Sequence, residues 1–403
     1  MTVDTFFDRS DVASLVGGSV HREAAASLIR SQGWPTRRNE AWHFTDLNAR
    51  LRTLDLALPA PPPDAASLVP ETTGPRLVFV NGRYVEGLSH SLPFVTLRAF
   101  EPGPCGSAIL PMVALNSAIA TEGAAFEIAE GSDAGVVFLV SVADATYDSV
   151  ISLRHRIVLQ ADAKLTIVEI AQGRGVYLHN PVLEIELAAG AVLKHYRLQN
   201  ESIDAVHVTT ILVDIGTRAQ YEAFTLTCGA KLGRNEIHAS LRGPNADVHL
   251  NAAQLLSGVQ HGDITTVVAH HAPNCSSRQT VKSVLAGAAR GVFQGRIEVD
   301  RVAQKTDGYQ MNQALLLSPD AEIDCKPELE IFADDVKCSH GATIGALDPE
   351  QLFYLRSRGI PEAEARAILI RAFLDEALEP VTDHAAREVF ETAITEWWHR
   401  NKL

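Results

Sequence analysis

Small turns ending in alanine precede alternating apolar–polar segments at Ala163 (DAKLTIVEI), Ala191 (GAVLKHYRL), Ala219 (RAQYEAFTL) and Ala246 (NADVHLNAA), at intervals of 28, 28 and 27 residues. Another copy is expected at Ala321 (DAEIDCKPEL), 75 residues farther on, close to three more turns of about 25 residues. A fixed period constrains the fold strongly. One coil cannot bury its own apolar face, but stacked neighbours bury it together. Side chains alternate across a strand, so each segment reads as half-buried, and strands of successive coils would pair in parallel. Over 76–345 the spacing predicts a β-solenoid or parallel β-helix, in preference to a sandwich or barrel. Long helical patterns are absent between the strands, which argues against βαβ units.

Both flanks switch to helical period. Residues 1–75 read as an N-terminal helical region followed by a linker. Ala24, Leu28 and Ile29 lie at helical spacing, Gly33 stops the helix, and Pro59–Pro63 (PAPPP) admits neither helix nor central strand. Residues 346–403 predict three helices. The first opens with Asp348 as N-cap, Pro349 at the first helical position and Gln351 as the capping-box residue, and closes at Gly359. The second starts at Pro361 and ends before Pro380. The third carries an apolar stripe of Ala386, Val389, Phe390, Ala393, Ile394 and Trp397. A small bundle capping the solenoid end is the expectation, with its exposed aromatic surface open to a partner.

With 35 Lys+Arg against 49 Asp+Glu, the net charge is −14. Nucleic acid is therefore not expected as a ligand, because basic side chains must replace phosphate counterions there. No apolar run long enough to span a membrane appears, and the acidic, polar start lacks the features of a secretory signal. Five widely spaced cysteines, Cys105, Cys228, Cys275, Cys325 and Cys338, make a poor disulfide framework and fit a reducing cytoplasm. There is no CxxC, so no pre-built zinc or ferredoxin-type site is expected. Cys105 and Cys228 read as buried core. GxxxxGK[ST], a strand–GxGxxG–helix unit, GxSxG and HExxH are all missing, so no catalytic residue is assigned.

Ligand-type residues gather in two places. His270, His271 and Cys275 lie within six residues, and strand histidines on a solvated face are the plainer meaning. The denser group is DDVKCSHGAT, 334–343. In an extended segment Cys338 and His340 share one face, and Lys337 is a candidate for lowering the thiol pKa although its own side chain points to the other face. Two ligands do not complete a tetrahedral metal site, so others would come from another coil or another subunit. Asp334-Asp335 reads as a solvated pair beside a turn rather than an acid–base dyad.

The stretch PELEIFADDVKCSHGATIGALDPEQLFYLRSRGI (Pro327–Ile360) resembles the C-terminal signature of the SufB/SufD family, and its CSHGAT form resembles the SufD branch. RNEAWHFTDL (Arg38–Leu47) is similar to the family's N-terminal E-x-W-x-[YF]-T motif, and His270–Ser318 to its central block. The resemblance implies a right-handed parallel β-helix between N- and C-terminal helical regions, in a scaffold subunit of the SUF iron–sulfur cluster assembly complex. It implies a heterodimer with a SufB-like subunit through the β-helix, and a SufC-like ATPase bound by the C-terminal helices. His340, with Cys338 beside it, matches the histidine implicated at the SufB–SufD interface, where iron and sulfur, or a nascent cluster, would be held transiently. ATPase docking would fall within about 348–378, with Leu352, Phe353, Tyr354, Arg358, Ile368 and Phe373 as candidates. No permanent cofactor is implied. A homodimer of the isolated chain, a purely structural solenoid and a β-helix enzyme acting on polysaccharide remain as alternatives.

Overall fold

The computed structural model describes residues 1–60, 66–100 and 110–401. Two sheets run side by side, and the chain alternates between them coil after coil. The ten-stranded sheet begins with Arg83–Tyr84 and Arg76–Val80, then continues through Asp133–Asp144, Lys164–Arg174, Val192–Asn200, Gln220–Thr227, Asp247–Leu256, Ser276–Leu285 and Asp307–Leu316 to Lys337–Gly345. The eleven-stranded sheet ends at Glu322–Ile331, preceded by Arg290–Val299, His261–His270, Leu232–Leu241 and Val206–Ile215. Pairing between the repeating coils is parallel, as the repeat requires, while the first strand pair of each sheet, Arg76–Val80 with Arg83–Tyr84 and Val95–Ala99 with Glu122–Ile128, is antiparallel.

The alanines mark a corner with a physical cause. Asp162, Gly190, Arg218, Asn245, Asn274 and Lys305 all sit at φ between 56° and 70°. That left-handed turn suits glycine and asparagine best. The following residue in each coil, Ala163, Ala191, Ala219, Ala246, Cys275 or Thr306, points into the tight corner and is almost wholly buried. Cys275 and Thr306, rather than Ala321, continue this ladder. Ala321 instead precedes Glu322–Ile331 in the other sheet, one coil beyond Ala289, which precedes Arg290–Val299. Both corners select small side chains, so alanine spacing cannot tell the sheets apart. The coils also lengthen to 29, 31 and 30 residues after Ala246.

The flanks differ from expectation in two respects. The strand-rich zone contains a helix, Pro111–Ile119, that is buried along nearly its whole length against Val20–Gln32. Its apolar residues encircle it, so neither strand nor amphipathic periodicity betrays it. Second, the C-terminal helices do not cap the solenoid end. The stripe of His384–Asn401 lies along the outer face of the ten-stranded sheet, where Phe390, Ile394 and Trp397 join Tyr196, Leu198, Phe224 and Leu226 in one apolar cluster. Phe224 and Phe390 meet edge to face at 4.9 Å. The sheet exposes a second apolar row there, and burying a row along a helix removes more surface from water than capping an end.

Candidate functional site

The N-terminal motif is a clasp. Trp42 is buried and its ring lies 4.1 Å from the guanidinium of Arg234, which is itself fully buried between Asp263 and Glu236. Thr45 donates to Asp263, and Arg234 donates to the Ala41 carbonyl at 2.8 Å. Glu40 pairs with Lys326. These contacts fix Arg38–Leu47 on the outer face of the eleven-stranded sheet, up to its last strand.

That last strand and its counterpart leave the solenoid open. Glu322–Ile331 and Lys337–Gly345 are the terminal strands of their sheets and lie at the same end. Among the described residues neither has a strand on its outer side, and their residues are half-buried or exposed where the preceding coils are buried. Register assigns the inward side. Cys338, His340, Ala342 and Ile344 oppose Gly308, Gln310, Asn312 and Ala314, all of which are buried. Cys325 likewise opposes the buried Phe293. Side chains that would line the interior of a longer solenoid are thus presented at its mouth. Cys338 is half-buried and His340 exposed. Phe332 is 64% exposed and Ile344 55%.

Sequence reasoning brought Cys338 and His340 to one face but missed Cys325, whose place in the same coil follows only from the strand register. Gly308 makes room for the thiol above it, since a Cβ there would come within 3.3 Å of Cys338 Sγ. Burial pushes the Cys338 and Cys325 thiols up, partly offset by the Gly308 backbone for the first and by Asn312 for the second. Lys337 has no part in this shift: as strand alternation requires, it projects to the opposite side of the strand. Among the described residues, Cys325, Cys338 and His340 are not gathered into a three-ligand set. A closed metal site at the mouth requires groups from outside the chain.

The remaining sequence candidates do not join this site. His270 points inward to Ser277 at 3.0 Å, while His271 points outward to Asp300 at 2.8 Å, so no joint site forms. Cys275 fills a corner, with its Sγ 3.3 Å from the Gly243 carbonyl. Cys228 is core, and its thiol is pushed up to about 12. Cys105 lies outside the described residues. Asp335 pairs with Lys305 beside a bend. The interior also carries a polar network far from these residues. Glu169, His195 and Arg197, all inward-facing, form a buried network in which Arg197 Nε reaches Glu169 at 2.8 Å and holds its carboxyl well below the usual range.

On the C-terminal side, Phe353 (74% exposed) and Tyr354 project from Pro349–Ser357, and Arg358 lies over the Tyr354 ring at 5.1 Å. Ile368 is exposed on Glu362–Leu378, and Leu352 is half-buried. Phe373 differs. It packs toward the ten-stranded sheet, with Lys282 Nζ 4.6 Å from its ring, and so is not part of an exposed patch.

Residues 141–373 match the family model described as SUF system FeS cluster assembly, SufBD core domain. The chain is 30% identical to the iron–sulfur cluster assembly protein SufD of Escherichia coli, over 90% of this chain and 88% of that one. An iron–sulfur cluster assembly SufBD family protein of Synechocystis is 32% identical, over 89% of this chain and 86% of its own. The chloroplastic protein ABCI7 of Arabidopsis thaliana is 36% identical across 58% of this chain and 50% of its own. No described helix is long and apolar enough to cross a membrane.

Proposed function

Because the chain belongs to the SufB/SufD family of the SUF iron–sulfur cluster assembly system, we propose that it is a SufD-type scaffold subunit that performs no catalysis of its own. It pairs through its open end with a SufB-like subunit, and a SufC-like ATPase docks on its C-terminal helices. The observation that carries this reading is the pair of unpartnered terminal strands. Two edges of nine and ten residues at one end present unpaired backbone groups together with exposed Phe332 and Ile344. Natural proteins blunt or cover such edges. A partner solenoid that continues both sheets covers them at once and closes the interior over Cys325, Cys338 and His340.

The thiol and imidazole then face a shared, water-poor joint. Iron and sulfur are the cargo there, with the partner supplying the remaining ligands. The chain carries no phosphate-binding loop, so ATP hydrolysis belongs to the ATPase, which Phe353, Tyr354, Arg358 and Ile368 suit as a docking patch. The test is co-expression with the SufB-like and SufC-like proteins of the same source. His340→Ala is expected to leave all three co-purifying while SUF-dependent cluster formation is lost. Normal cluster formation removes the ligand role, and failure of the wild-type chain to capture a SufB-like subunit removes the pairing.

A further inference from the structure

Far inside the solenoid, a second ligand constellation has no part in that reading. His179 ends the short strand Tyr177–His179, Glu201 follows Val192–Asn200, and His207 lies on Val206–Ile215. All three are buried. The strands Leu232–Leu241, His261–His270 and Arg290–Val299 separate His207 from the open edge of its sheet.

We propose that His179, Glu201 and His207 form a binding site for one divalent first-row metal ion of the zinc or ferrous class, held by the two Nδ1 atoms and the Glu201 carboxylate. The ligand atoms all lie within 4.8 Å of one another. His179 Nδ1 is 2.9 Å from Glu201 Oε1, and His207 Nδ1 is 2.6 Å from Glu201 Oε2. Metal–ligand distances of about 2.1 Å place tetrahedral ligands about 3.4 Å apart, so small side-chain adjustments admit an ion. The second contact is close but not aligned as a hydrogen bond, so among the described residues His207 Nδ1 has no well-aligned hydrogen-bond partner. Two ligand atoms aimed at a common third point have that relation.

The surroundings fit a metal as well. Metal-binding histidines usually hand their other ring nitrogen to a fixed partner, which selects the tautomer. Here His207 Nε2 meets the Thr209 hydroxyl, which Arg197 also holds at 2.9 Å, and His179 Nε2 meets Ser141 Oγ at 3.3 Å. Gln199 Nε2 donates to Glu201 Oε2 at 2.9 Å. Among the described residues no Lys or Arg touches the Glu201 carboxylate. A buried carboxylate between two imidazoles is the His₂-carboxylate donor set of zinc and non-haem iron sites. The Tyr177 hydroxyl is buried beside Glu201. Entry would be through the loop between Asn200 and Val206, which carries exposed Ile203.

The test uses the full chain carrying Cys325→Ser, Cys338→Ser and His340→Ala, so that the open end contributes no thiol or imidazole ligand. Protein from cultures supplemented with zinc, and separately with ferrous iron, is dialysed and its metal content measured. Expected is about one equivalent per chain of one of these ions, falling at least tenfold in Glu201→Gln and in His179→Gln. A folded chain with no bound metal in either arm, or an undiminished equivalent in both variants, overturns the site. Should the variants fail to fold, Co²⁺ loading of the parent decides. The intense visible absorption of a four-coordinate nitrogen–oxygen site supports it, and a weak six-coordinate spectrum or none refutes it.

Discussion

Replacing Ile344 by aspartate tests whether the open end is a joint between subunits. In the isolated chain Ile344 opposes Ala314 on the last strand and keeps 55% of its surface in water. That fraction is about 100 Å², and at about 25 cal/mol per Å² its burial against a partner contributes roughly 2.5 kcal/mol. Aspartate forfeits that contribution and adds the cost of dehydrating a charge between two sheets. Because the side chain is already largely exposed, the monomer loses little, about 0.5 kcal/mol or less. The dissociation constant for the SufB-like partner should therefore rise about 100-fold, since each 1.4 kcal/mol is about a factor of ten. Titration calorimetry, with light scattering to count subunits, reads this directly, and thermal melts of the variant alone check its fold. A change below about threefold with a normally folded variant would show that the partner does not cover this end.

Three further outcomes follow from the same contacts. A Phe353→Ser/Tyr354→Ser double variant should lose capture of the SufC-like ATPase with its melting temperature within about 2 °C of the parent, whereas Phe373→Ser, which strips packing from the sheet, should cost about 2–4 kcal/mol. Point changes are the right probe because deleting the helices would bare Tyr196, Leu198 and Phe224; unchanged capture by the double variant relocates the docking patch. Burial holds His155, His261 and His270 down at about 4, against an ordinary 6.5. Below pH 6.5 the unfolded chain takes up protons that the folded one refuses, so stability is full above that pH and falls as pH drops toward 4. The loss is about 2 kcal/mol per histidine at pH 5. Glu236, held at about 2, adds a loss between pH 4.5 and 2, and a urea midpoint equal at pH 7.5 and 5 contradicts the neutral buried rings. Trp42→Ala removes a buried ring and its contact with Arg234, at about 3–5 kcal/mol, and should make Arg38–Leu47 a protease target while the strands stay intact. Equal protease resistance in parent and variant would show that the clasp is held elsewhere.

Much of the architecture could be read from the chain because a repeat reports directly on stacking. Ala163, Ala191, Ala219 and Ala246 each follow a left-handed turn and face the same tight corner, so selection for a small side chain left a period in the sequence. Asp348, Pro349 and Gly359 bound a helix by local backbone chemistry alone. Cys338 and His340 share a face for an equally local reason, the two-residue period of a strand. What could not be read locally depends on which coil lies against which. The ladder passed from Ala246 to Cys275 and Thr306 unseen because their side chains satisfy the same volume limit with different letters.

Short-range rules therefore determined the strand pattern, the helix limits and the pairing of thiol with imidazole. Only the assembled coils decided that the C-terminal helices lie along a sheet, that Phe373 turns inward while Phe353 turns out, and that Cys325 joins the mouth. The same is true of His179, Glu201 and His207, which three separate strands and loops bring together. The physical reason is one of range. Backbone conformation and side-chain alternation are set by neighbours in sequence, whereas burial, charge compensation and ligand convergence are set by neighbours in space.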